Sequence, residues 1–249
     1  NYAKPMTMES LLKPDDRVIM ISGASRGIGA AIAKHLVADG YQLSLGVRSP
    51  EKVTKLLDKE YRERFTVSRF EATDPETAML WIEETNRAFG RIDGLVNNAG
   101  ILRQVDFETG DEKDLDEMWA VNVKAPFRLI KLCLPYLRKS GNGRIVNIAS
   151  TDGKRYRESV SVGYTMVKHA LIAVSHAARF AGWDDGVRVT ALCPGAVNTD
   201  LIANIPGITP VSERLPPEVV ASMVSMLLSL PNTASVSEMP INTRLESSL

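Results

Sequence analysis

The sequence predicts an α/β fold of the doubly wound kind: a mostly parallel sheet of about seven strands with helices on both faces. Three observations predict it. Short apolar, β-branched runs alternate with helix-like segments along nearly the whole 249-residue chain. The intervening segments are long enough for crossovers, which parallel strands require. Finally, a glycine-rich stretch falls between the first strand-like run and the first helix-like run, where such sheets hold anions. With 44% hydrophobic and 24% charged residues, the chain resembles neither a disordered nor a collagen-like nor a coiled-coil sequence. It is long enough to bury a large core without a disulfide or metal staple.

Residues 17–22 (RVIMIS) read as the first strand, and residues 30–39 follow with helical spacing, ending at Gly40, a residue suited to a left-handed C-cap. Residues 41–47 read as a second strand and 50–64 as a charged amphipathic helix with Pro50 in its first turn. Residues 65–70 are strand-like. Asp74, Pro75 and Glu76 then supply an N-cap, an N1 proline and an early acid. The alternation continues with strand 94–97, a long helix 111–139, strand 143–148, helix 162–181, strand 187–192, helix 216–230 and a last strand at 237–242. No linker, repeat or low-complexity stretch divides the chain, so residues 1–249 are expected to form one dinucleotide-binding and catalytic domain, with 1–15 as an N-terminal arm. Residues 151–161 and 196–215 break the rhythm. Each follows a strand, on the side where open α/β sheets bind ligands, and 196–215 is expected to form a substrate loop or lid.

The stretch Ser22-Gly23-Ala24-Ser25-Arg26-Gly27-Ile28-Gly29 leads from strand to helix. Glycines serve where a turn takes unusual dihedrals and where backbone must approach a pyrophosphate. The helix that follows directs its free N–H groups and dipole at the anion. This is the Rossmann-like arrangement, although the spacing G-x-x-x-G-x-G differs from G-x-G-x-x-G. Where an acid would bind the ribose of NAD, the second strand ends in Gly46-Val47-Arg48-Ser49. Arg48 and Arg26 are suited to a 2′-phosphate, which favours NADP(H), with NAD(H) still open. The plainer alternative is that both arginines are solvated loop charges.

Tyr164 and Lys168 lie four residues apart, on one face of the helix 162–181. A free phenol titrates at about 10, and a nearby ammonium favours its phenolate. The pair is therefore expected to make Tyr164 a workable general acid/base. Taken together, SGASRGIG at 22–29, NNAG at 97–100, Asn122 within a helix, Ser150 closing RIVNIAS, YTMVK at 164–168 and CPG at 193–195 resemble the short-chain dehydrogenase/reductase family over roughly residues 16–230. The resemblance implies that Tyr164 exchanges a proton with the substrate oxygen and that Ser150 hydrogen-bonds the same oxygen. Lys168 would hold the nicotinamide ribose and lower the Tyr164 pKa, and Asn122 would hold a water that links Lys168 to solvent. Gly23, Ser25, Arg26, Gly27, Ile28, Gly29 and Arg48 would hold the phosphates. Asn98, Ala99 and Gly100 would line the adenosine ribose, with Ala72 near the adenine. Pro194, Gly195, Val197 and Thr199 would position the nicotinamide amide and a phosphate. On the residues alone, Asn122 also reads as a helix residue capping nearby backbone, and Ser150 as a turn residue.

The sequence departs from the family pattern in places. Ser150 and Tyr164 are fourteen positions apart, one more than usual. Glu71-Ala72 stands where an acid often precedes a valine, and the tail SVSEMPINTRLESSL lacks the family's Asp-Gly-Gly ending.

The expected activity is hydride transfer between NADP(H) and a carbonyl or secondary alcohol, in the direction of carbonyl reduction. The alternatives are an NAD-linked alcohol dehydrogenase, a non-catalytic dinucleotide sensor or scaffold, and an epimerase or lyase that retains the cofactor. Thirty basic against thirty acidic residues argue against nucleic acid as a partner, and no apolar run is long enough for a membrane span. Residues 1–16 lack the apolar core of a signal peptide, so the cytoplasm is the expected location. Cys133 and Cys193, in apolar surroundings, read as reduced buried thiols. His35, His169 and His176 lack partners at metal-ligand spacing. Lys154, Arg155, Arg157 and Arg103 read either as attractors of an acidic substrate or, more plainly, as solvated loop charges. The resemblance also implies a homodimer or homotetramer, paired through the helices at 111–139 and 162–181.

Overall fold

A computed structural model describes residues 11–53, 56–157, 160–205 and 207–245. Most of the expected arm, residues 1–10, lies outside them; of the remainder, the Leu12 N–H donates to the Ser229 carbonyl at 2.7 Å.

Strands β1 (Val18–Ser22), β2 (Gln42–Val47), β3 (Phe65–Arg69), β4 (Gly94–Asn97), β5 (Arg144–Ile148), β6 (Arg188–Pro194) and β7 (Glu238–Ile241) form one sheet in the order β3-β2-β1-β4-β5-β6-β7. Every pair is parallel. The order reverses between β1 and β4, and the ends of these two strands border the candidate site. Helices α1 (Gly27–Asp39), α2 (Pro75–Phe89), α3 (Glu112–Trp119), α4 (Ala125–Ser140), α5 (Val162–Gly182) and α6 (Pro217–Ser229) cover the sheet. Side-chain alternation sorts β1 between two cores. Ile19 and Ile21 pack with Leu36 of α1 and Val224 of α6, whereas Met20 packs with Trp81 of α2 and Leu129 of α4. Gly40 adopts the left-handed cap expected of it, with φ 107°, and Asp74 caps α2 by accepting from Glu76 N at 3.0 Å.

Two expected helices differ. Residues 50–64 do not form one amphipathic helix but short 3₁₀ turns, Pro50–Lys52 and Lys59–Arg64; residues 54 and 55 lie outside the described residues. Val53 and Leu57 are buried, but they anchor little more than one turn among charges, too little to offset the cost of helix nucleation. The helix expected at 111–139 is divided by a π-turn, Ala120–Lys124, between α3 and α4. Pro126 supplies the reason: it has no N–H to give the Asn122 carbonyl four residues back, and its ring crowds that carbonyl.

The loop 196–215 is closed on itself where it leaves and rejoins the fold. Val197 and Leu215 form a parallel bridge, with Asn198 N donating to Leu215 O at 2.9 Å and Leu215 N to Ala196 O at 2.8 Å.

Candidate active site

The carboxyl ends of β1, β4, β5 and β6 open onto a cavity of about 450 Å³, within the size range of small-molecule sites. All the residues expected to bind cofactor or act in catalysis line it, except Gly29. That glycine is a packing residue. A Cβ there would lie 2.3 Å from the Gly23 carbonyl oxygen and 2.5 Å from Asn98 Nδ2.

Gly23 has φ +69°, and a Cβ on it would lie 2.9 Å from Ala99 Cα. The loop can therefore cross the start of NNAG only as bare backbone. Ser22, which the sequence reading missed, fastens the crossing. Its hydroxyl accepts from Asn98 N and Ala99 N, each at 3.0 Å. The Asn98 amide donates to the Ser22 and Gly23 carbonyls at 3.0 and 3.1 Å. A nicotinamide dinucleotide fits these residues: the first turn of α1 has neither an acidic residue nor a side-chain cap, so its N–H groups are available to an anion. Arg26 and Arg48 both line the cavity. Arg26 pairs with Asp200 at 3.2 Å, with both side chains largely exposed, so the pair is readily exchanged for a phosphate. Arg48 is exposed at the end of β2.

Ser150, Tyr164 and Lys168 converge although they come from different elements. Ser150 lies two residues beyond β5 and caps a 3₁₀ turn, Thr151–Gly153, its hydroxyl accepting from Asp152 N at 3.0 Å; the turn-residue reading of Ser150 thus holds alongside its place in the site. Tyr164 and Lys168 share a face of α5 and are buried. Ser161, a second residue the sequence reading passed over, caps α5. Its hydroxyl accepts from Tyr164 N at 3.2 Å and from Val105 N at 3.1 Å.

The charge relation between the pair is not the expected one. Burial pushes the Tyr164 phenol above its ordinary value, the Asp152 carboxylate pushes it further, and a hydrogen bond with Ser150 opposes both only in part. Burial likewise lowers the Lys168 amine to about 8. Its Nζ donates to the Ile148 carbonyl at 2.8 Å and lies 5.4 Å from the centroid of the Tyr164 ring. The expectation that Lys168 acidifies Tyr164 is corrected accordingly. In a dry site the cost of the phenolate outweighs what one ammonium, bonded to a carbonyl, returns.

The Asn122 amide is committed to main chain. It donates to Ile101 O at 3.0 Å and Met118 O at 2.9 Å, and accepts from Ile101 N at 3.3 Å. The capping reading therefore describes it, and the side chain ties the segment after β4 to the π-turn. Of the basic residues read as substrate attractors, Lys154 pairs with Glu238, Arg155 with Asp152 and Arg103 with Glu117 at 3.0 Å. Arg157 lines the cavity, 3.6 Å from Asp152.

Cys133 and Cys193 are free and buried, their thiols pushed up by burial to about 12 and about 11. Among the described residues no cluster of His, Cys, Asp and Glu is arranged to hold a metal, and no helix is long and apolar enough to cross a membrane.

Comparison with known proteins points the same way. The profile of the short chain dehydrogenase family matches residues 17–207. An agropine synthesis reductase of Rhizobium rhizogenes is 41% identical over 220 residues, 88% of this chain and 50% of that protein. The chain thus spans about half the length of that relative. Levodione reductase of Leifsonia aquatica is 30% identical over 194 residues, 76% of this chain and 72% of that one. The structure of an alcohol dehydrogenase from the archaeon Thermococcus sibiricus, complexed with 5-hydroxy-NADP, superimposes with a TM-score of 0.83 at 31% identity, covering 92% of this chain and 99% of that one.

Proposed function

We propose, from the premise that this chain belongs to the short-chain dehydrogenase family, a family of NAD(P)-dependent oxidoreductases, that it is an NADP(H)-dependent carbonyl reductase with Tyr164 as its proton donor. The observation that carries the reading is the convergence of Ser150, Tyr164 and Lys168 on the wall of one cavity that the glycine loop also lines, with the phenol kept protonated by its burial. A protonated phenol is the form a carbonyl reduction uses.

When bound, the cofactor supplies the hydride. The chain's residues do the rest. Ser150 Oγ donates a hydrogen bond to the carbonyl oxygen as negative charge gathers there, and Tyr164 gives that oxygen its proton. Lys168 holds ribose hydroxyls, and its charge then supports the phenolate that the transfer leaves. Asn122 acts as a positioning residue through its side chain, alongside the water-holding role the resemblance implies. Gly23, Ser25, Gly27 and Ile28 cradle the pyrophosphate, and Arg26 and Arg48 take the 2′-phosphate. Asn98, Ala99, Gly100 and Ala72 line the adenosine side, and Pro194, Gly195, Val197 and Thr199 the nicotinamide side. Leu201, Ile202, Ile205 and Ile208 of the loop 196–215 face the cavity and exclude water there.

The names of the agropine synthesis and levodione reductases support the reductive direction, and the NADP-derived ligand of the archaeal enzyme supports the cofactor. One domain carries both cofactor cleft and catalytic residues in this reading, and the protein works in the cytoplasm on a small-molecule carbonyl. Exposed Trp119, Phe127 and Met166 would be covered in a homodimer or homotetramer built on α3, α4 and α5.

The test follows NADPH oxidation with a panel of ketones and aldehydes. Wild type is expected to turn over with NADPH in preference to NADH, and Arg48→Ser to lose most of that preference. Tyr164→Phe is expected to lose about 10²-fold or more in kcat while binding NADPH unchanged. Equal turnover by Tyr164→Phe, or NAD-linked alcohol oxidation with no carbonyl reduced, refutes the proposal.

A further inference from the structure

Glu238 lies on the edge strand β7, in the tail where the sequence leaves the family pattern. Its carboxylate bridges two elements of the site. Oε2 accepts from Lys154 Nζ, and Oε1 lies 2.6 Å from His176 Nε2 on α5. All three side chains are half-buried, and the hydrogen bonds from Lys154 and His176 hold the carboxyl below the ordinary carboxylate range. In register, Glu238 sits opposite Ala191 of β6, so the sheet fixes where the carboxylate stands.

Lys154 is the last residue of the turn that Ser150 begins. Its N–H donates to Thr151 O at 3.0 Å, and Gly153 N donates to Ser150 O at 2.9 Å. The turn is pressed directly onto α5, since a Cβ on Gly153 would lie 2.8 Å from the Lys168 carbonyl oxygen. At its inner end the turn is fixed by β5. At its outer end the fastening to a distant element is the Lys154–Glu238 pair, 84 positions apart in sequence.

We infer that Glu238 is a positioning residue for the reaction: by gripping Lys154 and His176 it clamps the Ser150–Lys154 turn onto α5, and so fixes the direction in which the Ser150 hydroxyl meets the substrate oxygen. The inference rests on the reductase reading for its consequence in catalysis, though not for the clamp itself. Small displacements of a catalytic group far from their cause are costly to rate, because the bound geometry must be close to the reacting one.

The experiment uses the full chain, with Glu238→Gln, Lys154→Met, the double variant and Lys154→Arg. Hydrogen–deuterium exchange of the 150–155 segment, measured without added cofactor, is expected to quicken several-fold in Glu238→Gln and in Lys154→Met, and to return to the wild-type rate in Lys154→Arg. With NADPH and a carbonyl substrate, kcat is expected to fall on the order of tenfold in either single variant, with KM for NADPH within about twofold. The double variant should lose no more than either single one, because both cut the same link. Exchange unchanged in both single variants overturns the clamp, and so do losses in kcat that multiply in the double variant. A fall in melting temperature with kcat intact also overturns it. Should Glu238→Gln fail to fold, Lys154→Met carries the same test from the rim of the site. If wild type reduces no carbonyl, the reductase reading falls while the exchange data still decide the clamp.

Discussion

Replacing Lys168 by Met should make the protein more stable near neutral pH while destroying its activity, and the gain should shrink as the pH is raised. The cause is the environment of the amine. Burial lowers it from an ordinary 10.5 to about 8. Below pH 8 the folded protein carries an ammonium in a dry site, and the unfolded chain carries the same ammonium in water. That difference costs the folded state about 3 kcal/mol at pH 7. As the pH rises through 8 the folded protein loses the proton first. From there to 10.5 the unfolded chain binds more protons, so wild-type stability climbs relative to a variant without the amine. At pH 9.5 the remaining cost is about 1 kcal/mol. The hydrogen bond to Ile148 O offsets part of the gain by about 1–2 kcal/mol. The neutral amine makes that bond too, so the offset does not follow the titration.

Urea unfolding of both proteins at pH 7 and pH 9.5 measures the effect, with midpoints converted through the slope of each transition. Tyr164 and Cys133 also have raised values that owe nothing to Lys168, so they cancel in the difference; Cys193, which Lys168 holds down in part, stands at about 11 and stays protonated at pH 9.5 in both folded proteins. Lys168→Met should be the more stable by about 1–2 kcal/mol at pH 7, and the gap should move against it by about 2 kcal/mol at pH 9.5. A gap independent of pH would refute the argument that burial of this amine is a cost held for catalysis.

Two further outcomes follow from the same geometry. Asp152→Asn removes the carboxylate that raises the Tyr164 phenol while leaving Arg155 and Arg157 beside it; the acid limb of the pH profile for alcohol oxidation, which needs the phenolate, should move to lower pH, and an unmoved limb would remove Asp152 from the account. Gly46→Ala puts a Cβ 2.6 Å from Cη2 of Trp81, whose ring is held by its 2.8 Å bond to Ser44 and by Phe70 at 5.1 Å; the overpacking should cost about 1–3 kcal/mol in urea unfolding, and wild-type stability would show that the ring has room to move.

What could be read from the sequence was what depends on short range. The glycine loop, the Asp74 cap and the shared face of Tyr164 and Lys168 follow from spacings of a few residues, and the structure keeps each of them. Pro126, four residues after Asn122, signalled the break in the long helix, since a proline there removes a specific hydrogen bond. Arg155 was similarly within reach of its partner, three positions after Asp152. The roles of Ser22 and Glu238 were not legible, because their partners are brought to them by strand order: Asn98 is 76 positions from Ser22, and Lys154 is 84 from Glu238.

The phenol shows the deeper limit. Spacing establishes that Lys168 is Tyr164's neighbour, but whether the neighbourhood raises or lowers a pKa depends on how dry it is and on what else is charged there. Both are set by the packing of β5, the Thr151–Gly153 turn and α5 together. Desolvation acts against the charged form of each partner: the phenol is pushed up and the amine down. The pair therefore rests with its protons held in opposite ways from a surface pair, the tyrosine more firmly and the lysine less. In a reductase the phenol is thereby present in its protonated form, but a more firmly held proton is harder to give, so the transfer depends on the charge of Lys168 to support the phenolate that it creates.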